Sequence, residues 1–569
     1  MRVARLVLGL VAALLVVAPA ARAAELPGPG SGPVAADARP PGFHTDATRA
    51  IAAARAAPGV QAQLRRRPDL HAVASVWEQR RWAVVFTDRD DVPRAEVAVS
   101  SYGVVGEVWT GLKASSYLTR DGLDPVFRKP WVWAPFALLF LVPFVDPRRL
   151  RRLLHLDLAA LLSFGASCAL LDRGHATAAV LLFYPPLLYL LARCLLAGLR
   201  PRVRRGALVP LLPTAALAVG VVALFGARVA LNVHSPQVMD IGASSVIGAD
   251  RILHREALYV DNDGHGDTYG PFNYVAYAPF VLAFPFDGGL EHLPAAHAAA
   301  IAFDLLTLVG LLLLGLRLRA GPEGRRLGLA LAWAWAACPF TLLGVMDSVN
   351  DGLVALLMVW MLVAFASPAA RGALLGLATA AKFFPGALLL LVARGRGGEG
   401  RKAWLTTAAT CLGVVVFSLV VYLPAGGPPE LWNCTLGYQL TRPPDLSLWT
   451  LAGGAGWLKT VVLAGAIALA VAVAVLPGRR TIGQIAALAG AVTIAPQLAA
   501  GHWFYFYVIW FAPLVLVGLF AEHRDAPRHS AGASSAGADA GSDASARLEA
   551  WASWSGMNVP VPSHQAHVT

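Results

Sequence analysis

The constraint that most limits this chain is the recurrence of long apolar runs between residues 131 and 521. They lie near 131–145, 156–171, 176–198, 207–231, 271–287, 295–316, 327–345, 350–367, 371–393, 403–423, 457–476, 482–499 and 503–521. Each holds about 16 to 25 residues, enough to cross a hydrocarbon core of roughly 30 Å as a helix. Hydrophobic residues make up 57% of the sequence and charged residues 14%, where soluble chains carry nearer a quarter charged residues. The expected fold class is an all-α polytopic membrane protein with about 12–13 transmembrane helices, preceded by a small α+β domain.

The formal net charge of +12 does not argue for nucleic acid, because the basic residues are clustered rather than spread. Arg148 to Arg152, Arg200 to Arg205, Arg394 to Lys402 and Arg479-Arg480 flank apolar runs, as cytoplasmic loops do under the positive-inside rule. Cys168, Cys194, Cys338 and Cys411 fall inside apolar runs and only Cys434 in a long polar loop. No disulfide framework is available.

Residues 1–24 have a basic start, a short apolar core and an Ala21-Arg22-Ala23 end. They fit a secretory leader cleaved after Ala23 or Ala24, or an uncleaved first anchor. A Pro/Gly-rich linker follows over 25–43, then a small domain over 44–127. There, DATRAIAAARAAPGVQAQLRRRP reads as helix behind a polar cap. AVASVW, RWAVVFT, AEVAVSS and GVVGEVWTG read as strands because apolar and polar residues alternate. One helix followed by a strand meander is similar to the PepSY-type module of exported proteins. Its residues include no nucleophile, base or metal-ligand cluster, which leaves binding, regulation or a structural role. Residues 131–206 form accessory membrane helices, 207–521 the main membrane domain, and 522–569 a low-complexity tail expected to be disordered in the cytoplasm.

With the small domain outside, the arginine clusters place Asn232–Gly270, Pro424–Trp457 and His502 outside as well. Arg317, Arg319, Arg325 and Arg326 then conflict with the charge rule if every apolar run spans. Either 271–287 or the Lys382-interrupted 371–393 run is then a partial or broken helix. The Asn232–Gly270 segment is a polar island of about forty residues, far longer than most connections. It carries acids, histidines and tyrosines, which a site at a membrane surface would use.

Asp240, Leu258-Tyr259 and the helix entry Tyr269-Gly270-Pro271-Phe272 together resemble the family 87 glycosyltransferases, GT-C-type enzymes that use polyprenyl-phosphate sugars. Ala373 to Leu391, with Gly-Leu-Ala, Lys382 and Pro385, and Ala499 to Leu514, with His502, resemble later segments of that family. The likeness covers roughly residues 207–520; the family usually shows Tyr-Pro-Pro where this chain has Tyr269-Gly270-Pro271. The resemblance implies a GT-C-like helical fold, a polyprenyl-phosphate sugar donor with mannose the first guess, and a lipid-linked or cell-envelope glycan acceptor. It implies Asp240 as the base that takes the acceptor proton; the plain alternative is a solvated loop acid. His502 is either a second catalytic group, binding donor phosphate or assisting proton transfer, or part of an aromatic belt.

Asp347, Asn350 and Asp351 stand between two apolar runs, where charge is costly and often functional, or simply form a capped loop. Lys382 either meets a lipid phosphate or snorkels to the interface. Tyr259, His265, Asp267 and Tyr269 are expected near the substrate. Asp261-Asn262-Asp263 has the D-x-D form of metal–diphosphate sites and, with Asp267, loosely resembles a calcium loop, but the glycine spacing departs from the EF-hand pattern. No cofactor is assigned; a divalent metal at the triplet is the one open option. A transporter or flippase and a non-enzymatic scaffold remain alternatives, although no internal repeat of the transporter kind is evident.

Overall fold

A computed structural model describes residues 34–524 except 78–80, 90–92, 111–113, 115–125, 174, 236–237, 260–267, 289–292, 442–445 and 452–455. The expected leader, residues 25–33 of the linker and the tail beyond Arg524 lie outside the described residues, as do His265, Asp267 and the Asp261-Asn262-Asp263 triplet.

The N-terminal region is α+β, with the single expected helix divided into two at Ala57-Pro58. Helix α1 (Ala47–Ala56) starts at Asp46, whose carboxylate accepts the Arg49 amide at 2.8 Å, and α2 (Pro58–Arg66) starts on a proline. Strands β1 (His71–Trp77), β2 (Arg81–Thr87), β3 (Pro93–Ser100) and β4 (Val105–Thr110) make an antiparallel meander in that order. Alternate residues Trp82, Val84, Phe86, Ala95, Val97 and Val99 bury a separate core with Ala47, Ala50 and Val60 from the helices, as a half-buried sheet requires. The turn acid Asp88 is buried and takes Arg94 Nε at 2.7 Å and Arg67 Nη1 at 3.1 Å.

The rest is a helical bundle. Helices α3 (Pro130–Leu141), α4 (Leu153–Asp172), α5 (Ala176–Leu199) and α6 (Thr214–His234) are followed by α7 (Asp240–Leu253) and α8 (Pro271–Ala283). Next come α9 (Pro294–Leu318), α10 (Gly321–Ala337), α11 (Pro339–Met346), α12 (Asp351–Val363) and α13 (Pro368–Ala381). The chain ends with α14 (Leu389–Arg394), α15 (Arg401–Val421), α16 (Gly456–Val475), α17 (Ile482–Ile494) and α18 (Tyr507–Phe520). Among the described residues, seven helices are long and apolar enough to cross a membrane, eight if the bent pair α10–α11 counts as one crossing. The polytopic helical class stands, with fewer full-length crossings than there are apolar runs, because several runs are divided by bends or shortened.

Two divisions resolve the charge conflict. Asn232, near the end of α6, and His297, near the start of α9, touch through Oδ1 and Nδ1 at 3.2 Å. Helices α7 and α8 therefore leave and rejoin the same end of the bundle and add no crossing. At 13 residues, α8 would span only about 20 Å. The 371–393 run is also divided: α13 stops at Ala381, Lys382-Phe383 turn the chain, and a 3-10 turn over Phe384–Leu388 with α14 brings it back. Arg371 near the start of this hairpin reaches the Ala393 carbonyl near its end at 3.5 Å.

With those corrections, α9 delivers Arg317 and Arg319 to the basic end. Arg319 donates to the carbonyls of Phe520, Ala521 and His523, and Arg326 to those of Val209 and Leu212. At that end Glu522 takes Arg193 Nη2 at 3.2 Å and Arg204 Nε at 3.1 Å, and β5 (Arg204–Arg205) pairs with β6 (His523–Arg524). Burial, together with Arg152, Arg204, Arg319 and Arg193, holds the His523 imidazole well below its ordinary value, at about 3. At the opposite end Arg128 pairs with Asp172 at 2.5 Å, so the small domain enters the bundle on the side where α6 ends.

Two closely packed pairs bind the bundle through glycines, as in many membrane helices. Gly372 and Gly376 of α13 lie against Thr407 and Cys411 of α15. A Cβ on Gly315 of α9 would stand 2.1 Å from the Gly328 amide nitrogen of α10. Gly315→Ala is therefore expected to destabilise the bundle by about 1–3 kcal/mol, seen as a lowered melting temperature in detergent; an unchanged melt would contradict the close crossing.

Candidate functional site

The site is assembled from helix ends. Pro339 has no amide hydrogen to continue the helix, and α10 and α11 bend by 60° at Cys338-Pro339. The Ala336 carbonyl, on the side of the bend that loses its intrahelical partner, is taken up locally by Arg228 Nη1 at 3.0 Å, and Nη2 of the same guanidinium donates across the bend to Thr341 O at 3.0 Å. The same guanidinium holds Asp304 through two bonds of 2.8 and 2.7 Å, and Trp335 Nε1 donates to Asp304 at 2.7 Å. This network sets the exit of α11, so that Asp347–Asp351 emerges under the start of α7. The Met239 amide donates to the Asp347 carbonyl at 3.0 Å, and a Cβ on Gly242 would meet Ser348 O at 2.4 Å. Ser348 is buried in left-handed backbone (φ 51°) and is held there by Asn232 Nδ2 at 3.1 Å and His297 Nδ1 at 3.1 Å.

Three helix N-termini meet at this place, those of α7 at Asp240, α8 at Pro271 and α12 at Asp351; none carries a side-chain cap bond. Each turns amide groups and the positive end of its dipole toward the site. The α13 break supplies the cation. Lys382 Nζ lies 2.5 Å from Asp351 Oδ1, with the two side chains 10% and 1% exposed. It stands 5.1 Å from the Tyr269 ring and 5.4 Å from the Trp510 ring. Asp240 acts on the same ammonium through space. Lys382 is thus turned inward to a carboxylate and does not snorkel to the interface.

Gly270 shows why this chain departs from Tyr-Pro-Pro. Its amide donates to Ala381 O at 3.0 Å, a bond that proline lacks, and any Cβ there would lie 2.1 Å from Ala380 O. The α8 entry and the α13 break are fastened by that contact.

The remaining expected residues divide by role. Asp240 is exposed, and its Oδ1 accepts the Ile241 amide at 2.7 Å. Asp347 is buried. Asn350 and Asn273 both donate from Nδ2 to Ser245 Oγ, at 3.2 and 2.8 Å, while Ser245 gives its own hydrogen to Ile241 O at 2.7 Å. That single hydrogen fixes both amides and turns their Oδ1 atoms away; these and Asp351 Oδ2 are buried acceptors with no hydrogen-bond donor among the described residues. Tyr259 is a strut: buried, with its hydroxyl donating to Tyr269 O at 2.8 Å, it packs with Leu258, Tyr274 and Leu431. His502 meets Tyr507 edge to face at 6.1 Å, Tyr507 stacks on Trp510 at 4.2 Å, and Trp510 stacks on Phe384 at 4.1 Å.

Trp510, Tyr507, Phe384, Asn273 and Ser245 were not foreseen from the sequence. Trp510 and Tyr507 lie inside an apolar run where aromatic residues are ordinary; Ser245 and Asn273 carry no spacing signal of their own. The aromatic side chains and His502, Lys382, Tyr269 and Asp240 are all partly or fully exposed. They stand near buried acceptor oxygens that suit the hydroxyl groups of a polar ligand, while the Lys382 ammonium supplies the positive charge that an anionic group needs. No cluster of His, Cys, Asp and Glu that could hold a metal occurs among the described residues.

Residues 268–500 match the model of glycosyltransferase family 87. That segment makes the chain a membrane glycosyltransferase, acting on a sugar donor and an acceptor. No curated protein matches it. The matched segment contains Tyr269, Asp347, Asn350, Asp351 and Lys382, whereas Asp240, Ser245, His502 and Trp510 flank it. The structure joins the two groups in one place.

Breaking one side of the buried Lys382–Asp351 pair leaves an uncompensated charge, worth about 3–5 kcal/mol. Lys382→Ala and Asp351→Ala should each lower the melting temperature sharply, and the double variant by less than the sum. Additive losses would show that the pair is not coupled.

Proposed function

We propose that this glycosyltransferase takes its sugar, mannose as the first choice, from a polyprenyl-phosphate donor at the extracytoplasmic face and passes it to a lipid-linked or cell-envelope glycan. The observation that carries the reading is an exposed carboxylate, Asp240, in electrostatic reach of a cation that stands near three helix N-termini without N-cap side-chain bonds. That combination suits a sugar phosphate and a hydroxyl acceptor. Asp240 takes the hydrogen of the acceptor hydroxyl as its oxygen bonds to the anomeric carbon. The bond from that carbon to the phosphate oxygen breaks, and the electron pair leaves with the lipid phosphate. Lys382 and the helix ends balance the negative charge that collects there. The aromatic wall of Tyr269, Tyr507 and Trp510 presents apolar faces to the sugar or to the first prenyl units. His502 stands at the far end of that wall, edge to face with Tyr507, and its part in this reading is contact with the sugar or acceptor side of the substrates.

Sidedness follows from charge. The site lies at the end of the bundle away from Arg152, Arg193, Arg204 and Arg319, whose position fits a cytoplasmic end. Nucleotide sugars are not available on the other face, which favours a donor dissolved in the membrane. Cysteines placed at Tyr102 and Glu256 should react with an impermeant maleimide from outside intact cells, and reaction of either from the cytoplasmic side alone would reverse the orientation.

Asp240→Asn should lower transfer from a reconstituted polyprenyl-phosphate sugar by about 10²- to 10⁴-fold, with the melting temperature and donor binding preserved. Near-parental turnover would remove Asp240 from the mechanism. Turnover from a nucleotide sugar alone, in lipid free of polyprenyl phosphate, would overturn the donor assignment and direct attention to Asp261-Asn262-Asp263.

A further inference from the structure

A Lys382 ammonium that turns toward a donor phosphate weakens its hold on Asp351, because its charge is then shared between two anions. The pair is closed at rest, with Nζ 2.5 Å from Oδ1 and the carboxylate almost wholly buried. Drawing the ammonium toward a phosphate at the site would strip Asp351 of its counter-charge in apolar surroundings, where a bare carboxylate is very costly. A second donor already addresses the same oxygen: Trp510 Nε1–H donates to Asp351 Oδ1. The indole is held for that task, stacked between Phe384 at 4.1 Å and Tyr507 at 4.2 Å, and its face lies 5.4 Å from Lys382 Nζ.

Resting on the donor reading above, we propose that Trp510 is a positioning residue for an ion-pair exchange. Lys382 moves from Asp351 toward the lipid phosphate, and the indole N–H keeps Asp351 hydrogen-bonded while it is gone. One feature lowers the cost of that movement: the Tyr269 and Trp510 rings stand 5.1 and 5.4 Å from the ammonium, where cation–π contact offsets part of its desolvation. No bond is made or broken in this step; one hydrogen-bond partner of Lys382 replaces another.

The test is equilibrium binding of polyprenyl monophosphate to the full chain in detergent or nanodiscs. It needs no turnover. Trp510→Phe keeps the stacked ring and the cation–π face but removes the donor. Hydrogen bonds to a charged group are strong enough that affinity should fall by roughly 10-fold or more, with the melting temperature nearly unchanged. In an Asp351→Asn background, where no carboxylate is left behind, the same change should alter affinity by less than about twofold. If Trp510→Phe melts early, benzothienylalanine at position 510, which replaces the N–H by sulfur within the same ring shape, tests the same bond. Equal affinity of the parent and the donor-less variant would overturn the exchange, and so would an undiminished loss in the Asp351→Asn background. Failure of the parent chain to bind the lipid phosphate at all would instead overturn the donor reading itself.

Discussion

A guanidinium buried in a bundle this apolar is tolerable only if every part of it is matched, and Arg228 is matched by Asp304 on one side and by backbone carbonyls on the other. That arrangement does more than neutralise a charge. It takes up the Ala336 carbonyl, which the Cys338-Pro339 bend deprives of its intrahelical partner, and helix breaks at membrane depth persist only where such partners exist. Pro339 breaks the helix, and Arg228 with Asp304 stabilises the broken form from which Asp347–Asp351 emerges. The placement of the candidate site therefore depends on a buried salt bridge that is not itself one of the site's residues.

The second dependence is between two short elements that do not cross the bundle. The α7–α8 excursion carries Asp240, and the α13 break carries Lys382; Gly270 joins them by its amide bond to Ala381. Each is the kind of irregular backbone that a membrane protein keeps only when it lines a cavity or is buried in protein. Here the irregularities coincide: three helix starts, a helix break and a residue in left-handed conformation meet in one place. Strain of this sort concentrates where pre-organised polar groups are needed. The Ser245 hub extends the logic, because its one hydrogen decides the orientation of two buried amides.

Much of this was legible in the chain. Intramembrane acids and lysines are rare enough to draw notice, and Asp240, Asp347, Asn350, Asp351, Lys382 and His502 do converge. The conflict over Arg317 to Arg326 also pointed correctly to partial or broken runs. What sequence could not supply was which apolar run turns back. A helix that is apolar on all sides gives no periodic signal to separate a crossing from a hairpin; Pro385 marks the break, but the return of the chain rests on tertiary contacts, Lys382 with Asp351 at the turn and Arg371 with Ala393 O across its two arms. Tyr259 shows what proximity in sequence does not tell. Its place beside the expected substrate residues suggested contact, whereas its hydroxyl is spent on the Tyr269 carbonyl and its ring on packing.

Trp510 was invisible for a different reason. In an apolar helix an indole is ordinary filling, and only its N–H distinguishes it from phenylalanine. That donor matters because Asp351 is nearly sealed from water, so each hydrogen bond to it replaces solvation that nothing else provides. A carboxylate held by one lysine is a lock; held also by a neutral donor, it can release the lysine at lower cost. The same reasoning explains why the ammonium is placed between two aromatic faces and within reach of Asp240 rather than deeper in the bundle. A purely structural ion pair such as Arg228–Asp304 has all its groups enclosed, whereas Lys382 keeps one side toward the rest of the site, which is what a cation needs if it is to exchange partners.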